Sequence, residues 1–136
     1  MAVVIAPAKE PRSDLAAYRH AIRLALPKVV EELVGLLGPK LVAYIAGVGE
    51  TRAVNEWANG ERAPRAPLSN RLRMALRLAL MISSIEGRNT PLLQAWFLGL
   101  NPELDDRSPA RMLREGDLDE IGPVVVGAAR TFMAEG

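Results

Sequence analysis

Prolines and glycines cut this chain into segments of helical length, and that punctuation constrains its fold more than any other feature. Ten prolines and eleven glycines stand among 136 residues. The stretches between them carry apolar residues at helical spacing, with almost no strand-like alternation. After the lead-in "APAKEPRS", Ser13 suits an N-cap, and Leu15, Tyr18, Ile22 and Leu26 then recur at helical intervals. Pro27 opens "PKVVEELVGLL", which Gly38 ends, and Pro39 suits the first turn of "PKLVAYIAG". The segment "TRAVNEWAN" follows the loop "GVGE" and stops at Gly60. A fifth and longest helix, from about Leu68 to Ile85, places Leu72, Leu76, Ala79 and Ile82 on one face. Thr90-Pro91 and Ser108-Pro109 start two more helices, and Asp117 with Glu120 opens the last as in a capping box. The expected fold is therefore all-α, a helical bundle of about eight short helices containing a helix-turn-helix. Three stretches are expected: an N-terminal helical extension (1–38), the helix-turn-helix (39–66) and a C-terminal helical region (67–136).

The chain has no cysteine, which excludes disulfides, iron–sulfur clusters and thiolate zinc sites and fits the reducing cytoplasm. Lys or Arg interrupts every long apolar run, so no membrane span is expected. The apolar stretch in Met1 to Pro11 precedes its positive charges, the reverse of an export signal, and reads as a loose leader. Net charge is only +1, but it is unevenly spread. Residues 51–80 carry Arg52, Arg62, Arg65, Arg71, Arg73 and Arg77 against Glu56 and Glu61, and residues 81–136 are net acidic. Arginine's planar fork suits phosphates and base edges. Charge alone equally allows two segments that merely solvate the fold or attract each other.

Two short helices joined by a glycine-containing turn form the DNA-reading unit of many regulators. Here Ala43 is small enough to let the two axes cross closely, and Val54 and Trp57, three apart, turn inward to pin the second helix. Thr51, Arg52, Asn55 and Glu56 then face outward. Arginine and asparagine can bond guanine and adenine edges bidentately. Arg62 and Arg65 follow in the basic turn, and Arg73 and Arg77, one turn apart, are candidates for phosphate contacts or a solvated face. The run "AYIAGVGETRAVNEWANGERAP" resembles the Xre-type helix-turn-helix, with a turn one residue longer within Gly47-Val48-Gly49. Glu50 and Glu56 add negative charge to the reading helix.

The C-terminal third has its own skeleton: Trp96, then Asn101-Pro102, Leu104, Pro109 and Leu113. Trp96 supplies a large anchor, Asn101-Pro102 an Asx-type turn, and Ser108-Pro109 a capped helix start whose Leu113 returns to the core. With the helix-turn-helix, this skeleton resembles the Xre/MbcA/ParS antitoxin family over about residues 40–134. The resemblance implies an all-helical homodimer that binds operator double-stranded DNA and neutralises a NAD-consuming toxin of the RES-domain type. It also implies that residues 67–136 form a toxin-binding and dimerisation region, whose end would contact the toxin through Arg130, Thr131, Phe132, Met133 and Gly136.

His20, the only histidine, lies beside Arg19 on a helix and reads as surface decoration. Asp105-Asp106 reads as a turn, and Asp117 as a cap that offsets the helix dipole, in preference to a metal site. No phosphate loop, nucleophile elbow or triad spacing is present. No cofactor, metal or enzymatic activity is expected. The expected function is a helix-turn-helix transcriptional regulator of antitoxin type. The rival is an interaction module of the same fold without DNA binding.

Overall fold

The computed structural model describes residues 9–135, with side chains from residue 14 onward. Eight α-helices follow one another: α1 (Lys9–Arg23), α2 (Leu26–Leu37), α3 (Pro39–Ala46), α4 (Thr51–Ala58), α5 (Ala66–Glu86), α6 (Thr90–Leu98), α7 (Pro109–Glu115) and α8 (Leu118–Glu135). A single 3₁₀ turn, Pro102–Leu104, lies between α6 and α7, and no strand is present among the described residues. The expected all-α architecture is the observed one.

The punctuation acts as its chemistry predicts. Helices α2, α3, α5, α6 and α7 each carry a proline in the first turn, where the missing N–H had no intrahelical partner to lose. Ser108 Oγ accepts from Arg111 N at 3.1 Å, and Asn101 Oδ1 accepts from Glu103 N at 2.9 Å, closing the Asx turn. At the start of α8, Asp117 Oδ1 accepts from Asp119 N at 2.9 Å, an Asx turn in place of the expected capping box, while Glu120 N bonds the Asp117 carbonyl. Asn89 caps α6, accepting from Leu92 N at 3.2 Å. Ser13 is different: it lies inside α1, which starts four residues earlier at Lys9. Pro11 does not stop that helix because it falls in the first turn. The leader up to Ala8 lies outside the described residues.

Helix α5 is the axis of the bundle and packs against α1, α2 and α8. Its Leu72, Ala75, Leu76, Leu78, Ala79, Met81 and Ile82 are all buried. Each large side chain among them contributes roughly 1.5–3 kcal/mol on removal from water. One hydrophobic core runs from Ala17 to Met133, so the three stretches marked out by sequence share a common interior. Helix α2 packs on both α3 and α4.

Helix α1 buries the face next to the one its large residues suggest, turned by one position, about 100°. Asp14, Ala17 and Ala21 are buried, while Leu15, Tyr18 and Ile22 remain 46%, 43% and 49% exposed. Alanines allow the close approach of α1 to α5, which bulkier side chains would prevent.

Candidate nucleic-acid interface

The helix-turn-helix lies in α3, residues 47–50 and α4. Gly47 adopts φ 85°, a left-handed conformation that a side chain would strain, and its N–H caps α3 through Ala43 O. The extra turn residue is accommodated because Val48 N also bonds Ala43 O at 3.0 Å and Val48 packs on the core. Val54 and Trp57 are buried as expected. A Schellman-like pair ends α4, with Gly60 N bonding Trp57 O at 3.2 Å and Glu61 N bonding Glu56 O at 2.9 Å.

On the outer face, Arg52 is 83% exposed and Asn55 is exposed. Asn59, one turn beyond Asn55, extends the stripe. Its sequence signal, the i+4 spacing from Asn55, is masked by the adjacent Gly60, which marks it as a helix stop. Thr51 is half-buried and Arg65 exposed. Glu56 is held between two arginines, accepting from Arg62 Nη1 at 2.9 Å and Arg52 Nε at 3.4 Å. Its negative charge is thus spent on orienting two candidate DNA contacts.

The remaining central arginines turn inward. Arg73 Nη1 donates to Ala21 O at 2.9 Å and Leu24 O at 2.7 Å, capping the end of α1. Arg77 Nη2 donates to Asp14 Oδ1 at 3.1 Å and lies 5.1 Å from the Tyr18 ring centre. Both side chains thus act as struts within the bundle, and neither lies on a solvated face with its fork unengaged. Arg71 Nη1 donates to Ile45 O and Ala46 O at 3.3 and 2.9 Å. Burial, and secondarily the charge of Arg114, hold Arg71's pKa below its ordinary value. Arg114, from α7, donates to Tyr44 O at 2.8 Å and covers the Tyr44 ring. Cations at the last carbonyls of α3 offset its dipole and fix the point from which the turn departs. Gln94, a neutral donor, satisfies the last carbonyl of α2 by donating to Leu37 O at 2.8 Å. Sequence alone does not separate these inward arginines from outward ones, since all six stand in one basic run. Arg73→Ala is expected to cost about 1–2 kcal/mol of stability, the worth of charged hydrogen bonds to backbone, with no change in DNA affinity. Chemical denaturation beside a binding titration checks both halves.

At the C-terminal end, Arg130 hydrogen-bonds Asp14, Thr131 Oγ1 donates to Gly127 O, Met133 is buried and Phe132 is half-buried. These residues form packed helix in place of a free tail, and Gly136 lies outside the described residues. Thr131 and Phe132 line a groove of about 510 Å³ with Trp96 and Leu100. Leu98 and Leu100 stand exposed at the end of α6. His20 is exposed and bonds Glu32 at 2.9 Å. Asp105 and Asp106 take positive φ in a tight turn. Among the described residues no acidic or histidine cluster could hold a metal, and no helix is long and apolar enough to cross a membrane. Comparison with family models, curated proteins and solved structures gave no match to this chain.

Proposed function

We propose that this chain is a helix-turn-helix transcriptional regulator of antitoxin type that reads operator DNA, as a homodimer, with the outer face of α4. The observation that carries this reading is a stripe at i, i+3 and i+7, Arg52 and Asn55 on α4 and Asn59 at its C-cap, with the helix held from behind by buried Val54 and Trp57. Arginine and asparagine are the side chains that match guanine and adenine edges. Arg62 and Arg65 flank the stripe where a phosphate backbone would pass. The antitoxin element, including neutralisation of a RES-type toxin, is supported by the Trp96 to Leu113 skeleton and by exposed Leu100 in the lining of the Trp96 groove. A second reading, an interaction module of the same fold without DNA binding, is favoured by one observation. With Arg71, Arg73 and Arg77 turned inward, the outward excess of residues 51–80 falls to Arg52, Arg62 and Arg65 against Glu56 and Glu61.

Fluorescence anisotropy on a duplex containing the protein's own promoter decides between them. Affinity should fall steeply with salt as counterions are released. Arg52→Ala and Asn55→Ala should each lose about 1–3 kcal/mol of sequence preference. Arg65→Ala should weaken all duplexes alike and flatten the salt slope. Absence of salt-dependent binding to any duplex at low ionic strength would establish the interaction module instead.

A further inference from the structure

Between α1 and the end of α8 lies an open cleft of about 680 Å³ that the DNA-reading face does not use. Leu15, Tyr18, Met133 and Ala134 give it apolar walls, and Asp14, Arg77 and Arg130 line it as a charged cluster. Its volume lies within the roughly 300–1,000 Å³ typical of small-molecule sites. Two guanidiniums share one carboxylate there, so the described lining residues carry one uncompensated positive charge. Arg77 is fixed by Asp14 and the Tyr18 ring, yet its buried Nε has no acceptor among the described residues. Arg130 is 60% exposed and holds Asp14 through Nε and Nη2, which leaves the Nη1 side of its fork to face a second carboxylate.

We propose that this cleft binds a monoanionic amphipath, a carboxylate carried on an apolar chain. The apolar walls select the chain, and the excess guanidinium selects the charge. A neutral chain of equal length would leave that guanidinium covered and unpaired, a cation would be repelled, and a dianion would meet Asp14. The site is separate from the DNA reading, so loss of either leaves the other standing.

The test uses the full chain with methyl-labelled methionine, observed by NMR during titration with sodium decanoate below its micelle concentration. Decanol and decyltrimethylammonium serve as controls of equal chain length. Decanoate should shift the Met133 methyl saturably while leaving buried Met81 in place. The two controls should bind about ten-fold more weakly, since a hydrogen bond to a charged group is worth about that factor. Arg130→Gln should weaken decanoate about ten-fold without altering decanol, and Arg130→Lys should lose less than Arg130→Gln because the charge remains. Equal binding of decanol, or shifts at Met81 matching those at Met133, would overturn the proposal. So would a Met133 signal that depends on protein concentration and loses that dependence in Tyr18→Glu, because a second copy would then occupy the cleft.

Discussion

Trp57→Ala is expected to lower the stability of the whole chain by about 3–5 kcal/mol, the usual cost of truncating a large buried aromatic. Trp57 is almost fully buried and lies on α4, which packs on α2 and α3. An eight-residue helix is too short to persist without such tertiary support. The loss should therefore appear twice, in a lowered denaturation midpoint and in loss of ordered α4 signals before global unfolding. Trp96→Ala should cost a comparable amount, since that ring is buried and meets Phe97 edge-on at 5.1 Å. Trp96→Phe should be much milder, because the Trp96 Nε1 makes no hydrogen bond among the described residues. Urea titrations followed by circular dichroism measure all three variants. Parent-like midpoints for both alanine variants would remove the tryptophans from the core.

Asp14→Asn should cost about 2–3 kcal/mol at neutral pH, somewhat below the range for breaking a fully buried ion pair because Arg130 is more than half exposed. Burial raises the Asp14 pKa, but hydrogen bonds from Arg130 and Arg77, aided by their charges, outweigh it and hold the carboxyl below its ordinary 3.8. A folded pKa below the unfolded one means stability that is fully present above about pH 3.8 and lost as pH falls through the folded value. The gap between parent and Asp14→Asn should thus be widest at neutral pH and shrink in acid below 3.8. Denaturation free energies measured between neutral and strongly acidic pH provide the check. A gap that stays constant across that range would mean Asp14 contributes through packing alone.

How far the sequence was readable depends on which physical signal each residue carries. Proline, glycine and capping residues act locally, so Pro27, Gly38, Pro39, Gly60, Ser108 and Asp117 mark helix ends without knowledge of what lies across the core. Buried anchors such as Val54, Trp57, Leu72 and Leu76 follow from size and period. Helix α1 inverts that logic: size marks Leu15, Tyr18 and Ile22 as the inner face, whereas the neighbouring helix meets Ala17 and Ala21. Packing distance decides that face, and one helix alone does not encode it. The arginines pose the same difficulty for function. Arg52 and Arg73 belong to one basic run, yet the first points to solvent and the second holds the carbonyls of Ala21 and Leu24 at the end of α1. Only the fold tells them apart.

The grip of Arg71 and Arg114 on the last carbonyls of α3 bears on modularity. The helix-turn-helix is contiguous in sequence, but two of the groups that set its turn come from α5 and α7, 25 and 70 residues downstream of the carbonyls they hold. A chimera that transplants residues 39–66 onto another scaffold would carry α4 without the clamp that aims it. Such a graft should keep its contact residues and lose their alignment unless arginines are rebuilt on the recipient helices. Exchange of the helix-turn-helix within this architecture is therefore expected to travel as a longer cassette, extending at least through Arg114.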